Sequence, residues 1–170
     1  GGAGFIGSHL VEKLLAAGHE TVVIDNFSTG RRENLSNVIG HDSLNVIEVD
    51  IANSVNIEPF FEGVEWVFHM AAVADIVPSI EAPTVYHCAN VNGTISVLEA
   101  SKKAGAKRFI YASSSSCYGI PHEFPTPETA SVCPQYPYAL TKYVGEQYVM
   151  HWCQVYGLPS VALRFFNVFG

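Results

Sequence analysis

The sequence predicts an α/β fold built on a doubly wound parallel sheet, and three observations predict it. Short apolar runs rich in Val, Ile and Phe alternate with longer stretches of helical periodicity, which is the pattern of βα units. A glycine-rich turn, Gly1-x-x-Gly4-x-x-Gly7, leads straight into the first helical stretch. The next apolar run, Val22-Val23-Ile24, closes on a carboxylate, Asp25, 18 positions after Gly7. Sheets of this kind bind ligands in the crevice outside the carboxyl ends of their strands.

Each element follows from local pattern. Leu10, Val11, Leu14 and Leu15 recur at helical spacing and stop at Gly18, so a helix follows the glycine turn. Thr21 to Asp25 is the next strand, and the Asn/Ser/Gly cluster behind it is a loop. Asn45 to Val49 and Trp66 to His69 are further strands, and Pro83 to Gly105 is long enough for a helix with Pro at its start and Gly at its end. Arg108 to Ala112 is a strand running into the serines Ser113 to Ser116, and the proline-rich stretch from Pro121 to Pro137 is a loop. Tyr138 to Tyr156 is a helix and Val161 to Phe165 the last strand. A glycine turn of this type needs a strand feeding into it, yet Gly1 is its first glycine. The expectation is one truncated domain over residues 1–170, a Rossmann-like sheet with its first strand and its C-terminal substrate portion missing.

Composition narrows the functional classes. A chain of 170 residues, 48% hydrophobic, can bury a sizeable core. The formal charge of -7, from 16 Asp and Glu against 9 Lys and Arg, argues against nucleic acid as a partner. No apolar run reaches the roughly 18 residues that a membrane span needs, so no membrane partner is expected. The four cysteines form no CxxC pair and the seven histidines no HExxH, so no metal site is signalled. Cys88, Cys117, Cys133 and Cys153 read as ordinary buried or half-buried thiols, which suits a reducing, cytoplasmic setting.

Three motifs carry chemistry. Glycines at the start of a helix let the backbone approach a pyrophosphate, toward which the unsatisfied N–H groups of the first turn point. Asp25 stands where a carboxylate accepts from the adenosine ribose hydroxyls, which favours NAD, because a carboxylate repels the 2′-phosphate of NADP, although Arg31 and Arg32 nearby leave NADP open. Asp50 either accepts from the adenine amino group or caps the segment that follows it. Tyr138-x-x-x-Lys142 places both side chains on one helical face, one turn apart, where an ammonium favours the phenolate of a neighbouring tyrosine. The serine run at the carboxyl end of a parallel strand brings a hydroxyl to the same crevice.

With these motifs in this order the chain resembles the extended short-chain dehydrogenase/reductases, in particular the NAD-dependent epimerase/dehydratase family. The resemblance runs from Gly1 to Gly170 and includes His69-Met70-Ala71-Ala72, Asn90-Val91-Asn92-Gly93-Thr94, Ser114-Ser115-Ser116-Cys117-Tyr118-Gly119 and Arg164-Phe165-Phe166-Asn167-Val168-Phe169-Gly170. It implies Ser114, Tyr138 and Lys142 as catalytic residues: a hydroxyl on the reacting sugar oxygen, the acid/base, and the ammonium that tunes it and holds the nicotinamide ribose. It implies NAD held by Gly1, Gly4, Phe5, Ile6, Gly7, Asp25, Asn26, Asp50, Ile51, Ala71, Ala72, Asn90, Tyr138, Lys142 and Phe165, with Asn90 also bracing the site. It implies a UDP-sugar against Ser114, Ser115, Ser116, Tyr138 and Asn167. His69 reads as a packing residue. Phe165 stands where relatives often have Tyr, and Phe169 where many have Tyr or Thr.

Within the family the two positions after Ser114 discriminate reactions. The 4,6-dehydratases look like Thr-Asp-Glu there, and the nucleotide-sugar decarboxylases carry a Glu at the second position, whereas this chain has Ser115 and Ser116. Without those carboxyls no acid/base pair for elimination is in place, so the resemblance implies C4 epimerisation of a UDP-hexose through a transient 4-ketose. A reductase or dehydratase of the same fold and a non-catalytic NAD(P)-binding regulatory module are the alternatives. A homodimer is expected of the full-length protein, through helices around Val97 and Tyr143.

Overall fold

The computed structural model describes residues 1–53 and 57–170. Its strands form two parallel ladders. In the first, β1 (Thr21–Asp25) pairs with β2 (Leu44–Glu48) in a register from Thr21 opposite Leu44 to Asp25 opposite Glu48. In the second, the order is β3 (Trp66–His69), β4 (Arg108–Ser114), β5 (Ser160–Phe165). Gly1 lies between the ladders: its amino group donates to the carbonyl of Ile24, and a Cβ added to it would fall 2.3 Å from the Ala71 nitrogen. The carboxyl ends of β1 and β3 therefore converge on the glycine turn.

Helix α1 (Phe5–Ala16) follows that turn and buries Val11 and Leu15 against Ala3, Val23 and Leu35. Gly18, at φ 85°, ends it in the left-handed region that glycine adopts without a steric penalty. Beyond β3 come α2 (Ile76–Glu81) and α3 (Pro83–His87), then a π-helical turn over Cys88–Asn92 that runs on into α4 (Gly93–Ala104). The 20-residue α5 (Pro137–Tyr156) connects to β5. The main core packs Val97 and Leu98 of α4 and Val149 and Trp152 of α5 on Phe109 and Tyr111 of β4. Phe109 and Tyr111 are 0% exposed, and burying each such side chain contributes roughly 1.5–3 kcal/mol.

The expected strands and helices are present, with several corrections. The second strand runs Leu44–Glu48 rather than Asn45–Val49, although the Val49 N–H still donates to the Asp25 carbonyl at 3.1 Å. β4 runs two residues past Ala112 because Ser113 and Ser114 pair with Arg164 and Phe165, and β5 begins at Ser160. α5 starts one residue early, at Pro137, since proline at the first helical position gives up only an N–H that has no helical partner. The segment expected as one helix from Pro83 carries the π turn inside it. The six-residue α2 was not expected, because Pro78 sits within it. Cys117 is buried and Cys153 half-buried, but Cys88 and Cys133 are exposed. Among the described residues, no helix is long and apolar enough to cross a membrane.

Candidate active site

A cleft of about 1550 Å³ and a smaller cavity of about 130 Å³ open at the carboxyl ends of the strands. Gly1, Gly4, Met70 and Ala72 line both, so the glycine turn is the partition between them. At Gly1 and Gly7 no side chain fits: a Cβ would lie 2.3 Å from the Ala71 nitrogen at the first and 2.2 Å from the Gly1 carbonyl oxygen at the second. Phe5, Ile6 and Gly7 begin α1 and line the larger cleft, and the N–H groups of a helix's first turn have no partner inside the helix. A diphosphate laid across the turn meets those donors and the positive end of the helix dipole.

Asp25, Asn26, Asp50, Ile51 and Ala71 line the smaller cavity. Asp25 has a structural task that the sequence did not reveal. Its Oδ2 accepts the Ala3 N–H at 2.9 Å and its Oδ1 the Phe27 N–H at 2.9 Å, so the carboxylate braces the glycine turn while it walls the cavity. The Gly1 amino group lies 3.4 Å from the same Oδ2, so of about four lone-pair positions about one is left for a ligand. Asp50 accepts the Ala52 N–H at 2.8 Å and the Asn26 amide at 3.3 Å, so it caps the turn after β2 and borders the cavity as well.

Ser114, Ser115, Ser116, Tyr138, Lys142, Phe165 and Asn167 line the larger cleft. β4 delivers Ser114, whose Oγ accepts the Ser116 N–H at 3.2 Å and lies 2.7 Å from the Ser116 Oγ. α5 presents Tyr138 and Lys142 one turn apart. Lys142 is 3% exposed, and its Nζ sits 4.3 Å from the centroid of the Tyr111 ring. Burial pushes the Lys142 pKa down to about 7, while the Glu146 carboxylate pulls the other way. β4 and α5 approach closely because residue 145 is glycine: a Cβ there would fall 2.4 Å from the Tyr111 hydroxyl, which donates to the Lys142 carbonyl at 3.3 Å. The Tyr86 ring meets Tyr138 edge-on at 6.4 Å.

Asn90 lines neither cavity. It is 1% exposed in the π turn, where its Oδ1 accepts the Val73 N–H at 2.8 Å and its Nδ2 donates to the Val73 carbonyl at 3.0 Å and to Thr141 Oγ1 at 3.1 Å. It ties the loop after β3 to α5 from behind the cleft wall. His69 is buried, with Nε2 2.8 Å from Thr94 Oγ1. The Thr94 hydroxyl donates to the Asn90 carbonyl at 2.6 Å, so Nε2 is assigned as the His69 nitrogen that carries the proton. Burial first, then the Lys142 charge, holds the His69 pKa well below its usual value, and the ring packs as a neutral group.

Sequence reasoning missed a buried ion pair beside the Tyr138 and Lys142 face of α5. Glu146, 5% exposed, accepts Arg164 Nε at 3.0 Å and a terminal nitrogen of the same guanidinium at 2.7 Å, and it accepts the Ser113 hydroxyl at 2.6 Å. These bonds join α5 to β4 and β5 beside Ser114 and Phe165. The Arg164 guanidinium also lies 4.8 Å from the centroid of the Tyr118 ring, and the Glu146 carboxylate raises its pKa. The one local signal was a carboxylate four residues after Lys142, on the same helical face; nothing in the sequence marked Arg164 and Ser113 as its partners.

This glycine partition, with a hydroxyl, a tyrosine and a buried lysine beyond it, is the layout that a dinucleotide site on an α/β sheet requires. The chain belongs to the NAD dependent epimerase/dehydratase family, which it matches over residues 1–170. It is 38% identical over 173 residues to a UDP-glucose 4-epimerase of Lacticaseibacillus casei, covering 100% of this chain and 50% of that protein. It is 35% identical over 175 residues to a UDP-glucuronic acid decarboxylase 1 of Xenopus tropicalis, covering 100% of this chain and 40% of the relative. Among solved structures it superposes with a TM-score of 0.94 on the UDP-N-acetylglucosamine 4-epimerase of Methanobrevibacter ruminantium M1 in complex with UDP-N-acetylmuramic acid. That pair is 37% identical over 99% of this chain and 54% of the other. The chain spans about half the length of the curated relatives it matches.

Proposed function

We propose that this chain forms the NAD-binding and catalytic part of a nucleotide-sugar 4-epimerase acting on a UDP-hexose. The observation that carries the reading is one cleft lined by the glycine turn, Ser114, Tyr138 and Lys142, with serines at 115 and 116 where elimination would need acids. NAD, when bound, supplies a reversible two-electron acceptor for C4 of the sugar. Tyr138 takes the proton of the C4 hydroxyl and later returns it. Ser114 hydrogen-bonds the same oxygen, and Lys142, one turn along the helix, places its amino group beside it, charged below about pH 7. The Asp25 cavity takes the adenosine end of the cofactor, and the first turn of α1 its diphosphate. The 4-ketose turns in the cleft before reduction, which inverts C4.

The full-length protein acts as a homodimer in the cytoplasm on this reading. Exposed apolar residues on the helices support the dimer, with Val85 54% exposed on α3 and Leu140 52% exposed on α5. The test is to incubate full-length protein with UDP-glucose and read C4 stereochemistry by NMR. Appearance of the galacto epimer without net NADH formation is expected, whereas stoichiometric accumulation of NADH and oxidised sugar without the epimer would identify an oxidoreductase that releases its cofactor.

A further inference from the structure

The loop after β3 is held from behind by two buried side chains. Asn90 bonds both the N–H and the carbonyl of Val73, and the Tyr86 hydroxyl donates to the Ala74 carbonyl at 2.6 Å. The next residue, Asp75, has φ 87° and ψ 139°, a conformation that L-residues other than glycine rarely adopt. Such a backbone persists only where its surroundings impose it, and it recurs at ligand sites. Asp75 lines the large cleft with Ser114, Tyr138 and Lys142. Among the described residues lining that cleft, Asp75 and Lys142 are the only Asp, Glu, Lys, Arg or His side chains. Lys142 is packed on Tyr111 and belongs to the proton-transfer set, so among the described residues lining the cleft Asp75 is the charge left to meet a sugar.

We infer that Asp75 is a specificity-determining residue, which makes this a cleft for uncharged hexoses and excludes hexuronic acids. Its carboxylate accepts hydrogen bonds from the hydroxyls of a neutral sugar and repels a sugar carboxylate. Two like charges about 6 Å apart in a partly solvated cleft repel enough to change affinity roughly 10- to 100-fold. The inference rests on the nucleotide-sugar reading above and deepens it. The family makes the distinction meaningful, since one of the relatives matched by this chain is named for UDP-glucuronic acid.

The test uses full-length, NAD-loaded protein and its Asp75→Asn variant, with dissociation constants for UDP-glucose, UDP-glucuronic acid and UDP measured by calorimetry. C4 turnover of both sugars is followed separately by NMR. The wild type should bind UDP-glucose more tightly than UDP-glucuronic acid. Asp75→Asn should narrow that gap roughly 10- to 100-fold, chiefly by improving UDP-glucuronic acid, while UDP affinity stays constant. Asp75→Gly, which suits the backbone angles, provides a second charge-free variant should the amide perturb the loop. A wild type without the gap, or a gap unchanged in both variants, overturns the inference. A gap that behaves as expected without C4 turnover of either sugar upholds Asp75 and overturns the epimerase reading. Failure of both sugar nucleotides to bind overturns both.

Discussion

Replacing Lys142 by Met isolates what burying that ammonium costs the fold. The methionine keeps the length and apolar stem of the lysine and removes the charge from a position that is 3% exposed. The Lys142 pKa falls from 10.5 to about 7 in the folded protein. At 1.36 kcal/mol per decade this corresponds to a penalty of roughly 5 kcal/mol, and relaxation of water at the cleft mouth brings the working expectation to about 2–4 kcal/mol. The sign follows from proton counting. Below pH 7 both states hold the proton, so the penalty is fully present. Between about pH 7 and 10.5 the unfolded chain binds the proton and the folded one does not, so wild-type stability rises with pH through that window. Urea unfolding of the cofactor-free, full-length protein at pH 6, 8 and 10 measures this. Lys142→Met should be more stable than wild type at pH 6, with the difference shrinking toward pH 10 as turnover falls by about 100-fold or more. Equal stabilities at pH 6, or a difference that does not vary with pH, would refute the reasoning.

Tyr138→Phe removes one hydroxyl from a half-buried ring, so NAD binding and fold should persist while single-turnover reduction of NAD slows by about 100- to 10,000-fold; near-wild-type transfer would dismiss the assignment. Glu146→Gln breaks the bidentate pair with Arg164 and should cost about 3–5 kcal/mol in urea unfolding, with Glu146→Asp recovering part of it; a loss within experimental error would mean that the pair is not needed. Full-length protein should bind NAD more tightly than NADP. Asp25→Ala should weaken NAD more than the ribose contacts alone require, because the variant also frees the Ala3 N–H that fixes the glycine turn; tighter NADP binding by the wild type would contradict this, as would a variant that binds NAD like wild type.

The glycine turn, the five strands and the Ser114, Tyr138 and Lys142 set were legible because each rests on local rules: period, turn chemistry and a four-residue helical step. What escaped reading depends on contacts between distant segments. Nothing near Asp25 in the chain says that its carboxylate will cap Ala3, 22 residues earlier, and nothing around Ser113 points to Glu146, 33 residues later. Asn90 was read both as a cofactor contact and as a brace. Its three hydrogen bonds go to Val73 and Thr141, contacts set by the fold and not visible in the residues around it. Helix α2 was hidden by Pro78, which a short helix tolerates only near its start.

The π turn over Cys88–Asn92 changes what the long segment from Pro83 to Ala104 is able to do. Each residue of an α-helix advances about 100° around the axis, so the one extra residue in a π turn rotates everything beyond it by about that angle. Upstream, Tyr86 faces Ala74 and the Tyr138 ring; downstream, Val97 and Leu98 face the hydrophobic core. An unbroken helix would have to satisfy both surfaces with one phase. Here the phase is reset at Asn90, the residue that grips the loop after β3. The widened turn thus uncouples the azimuth of the cleft wall from that of the core, and either surface can be rebuilt by substitution without forcing the other to rotate.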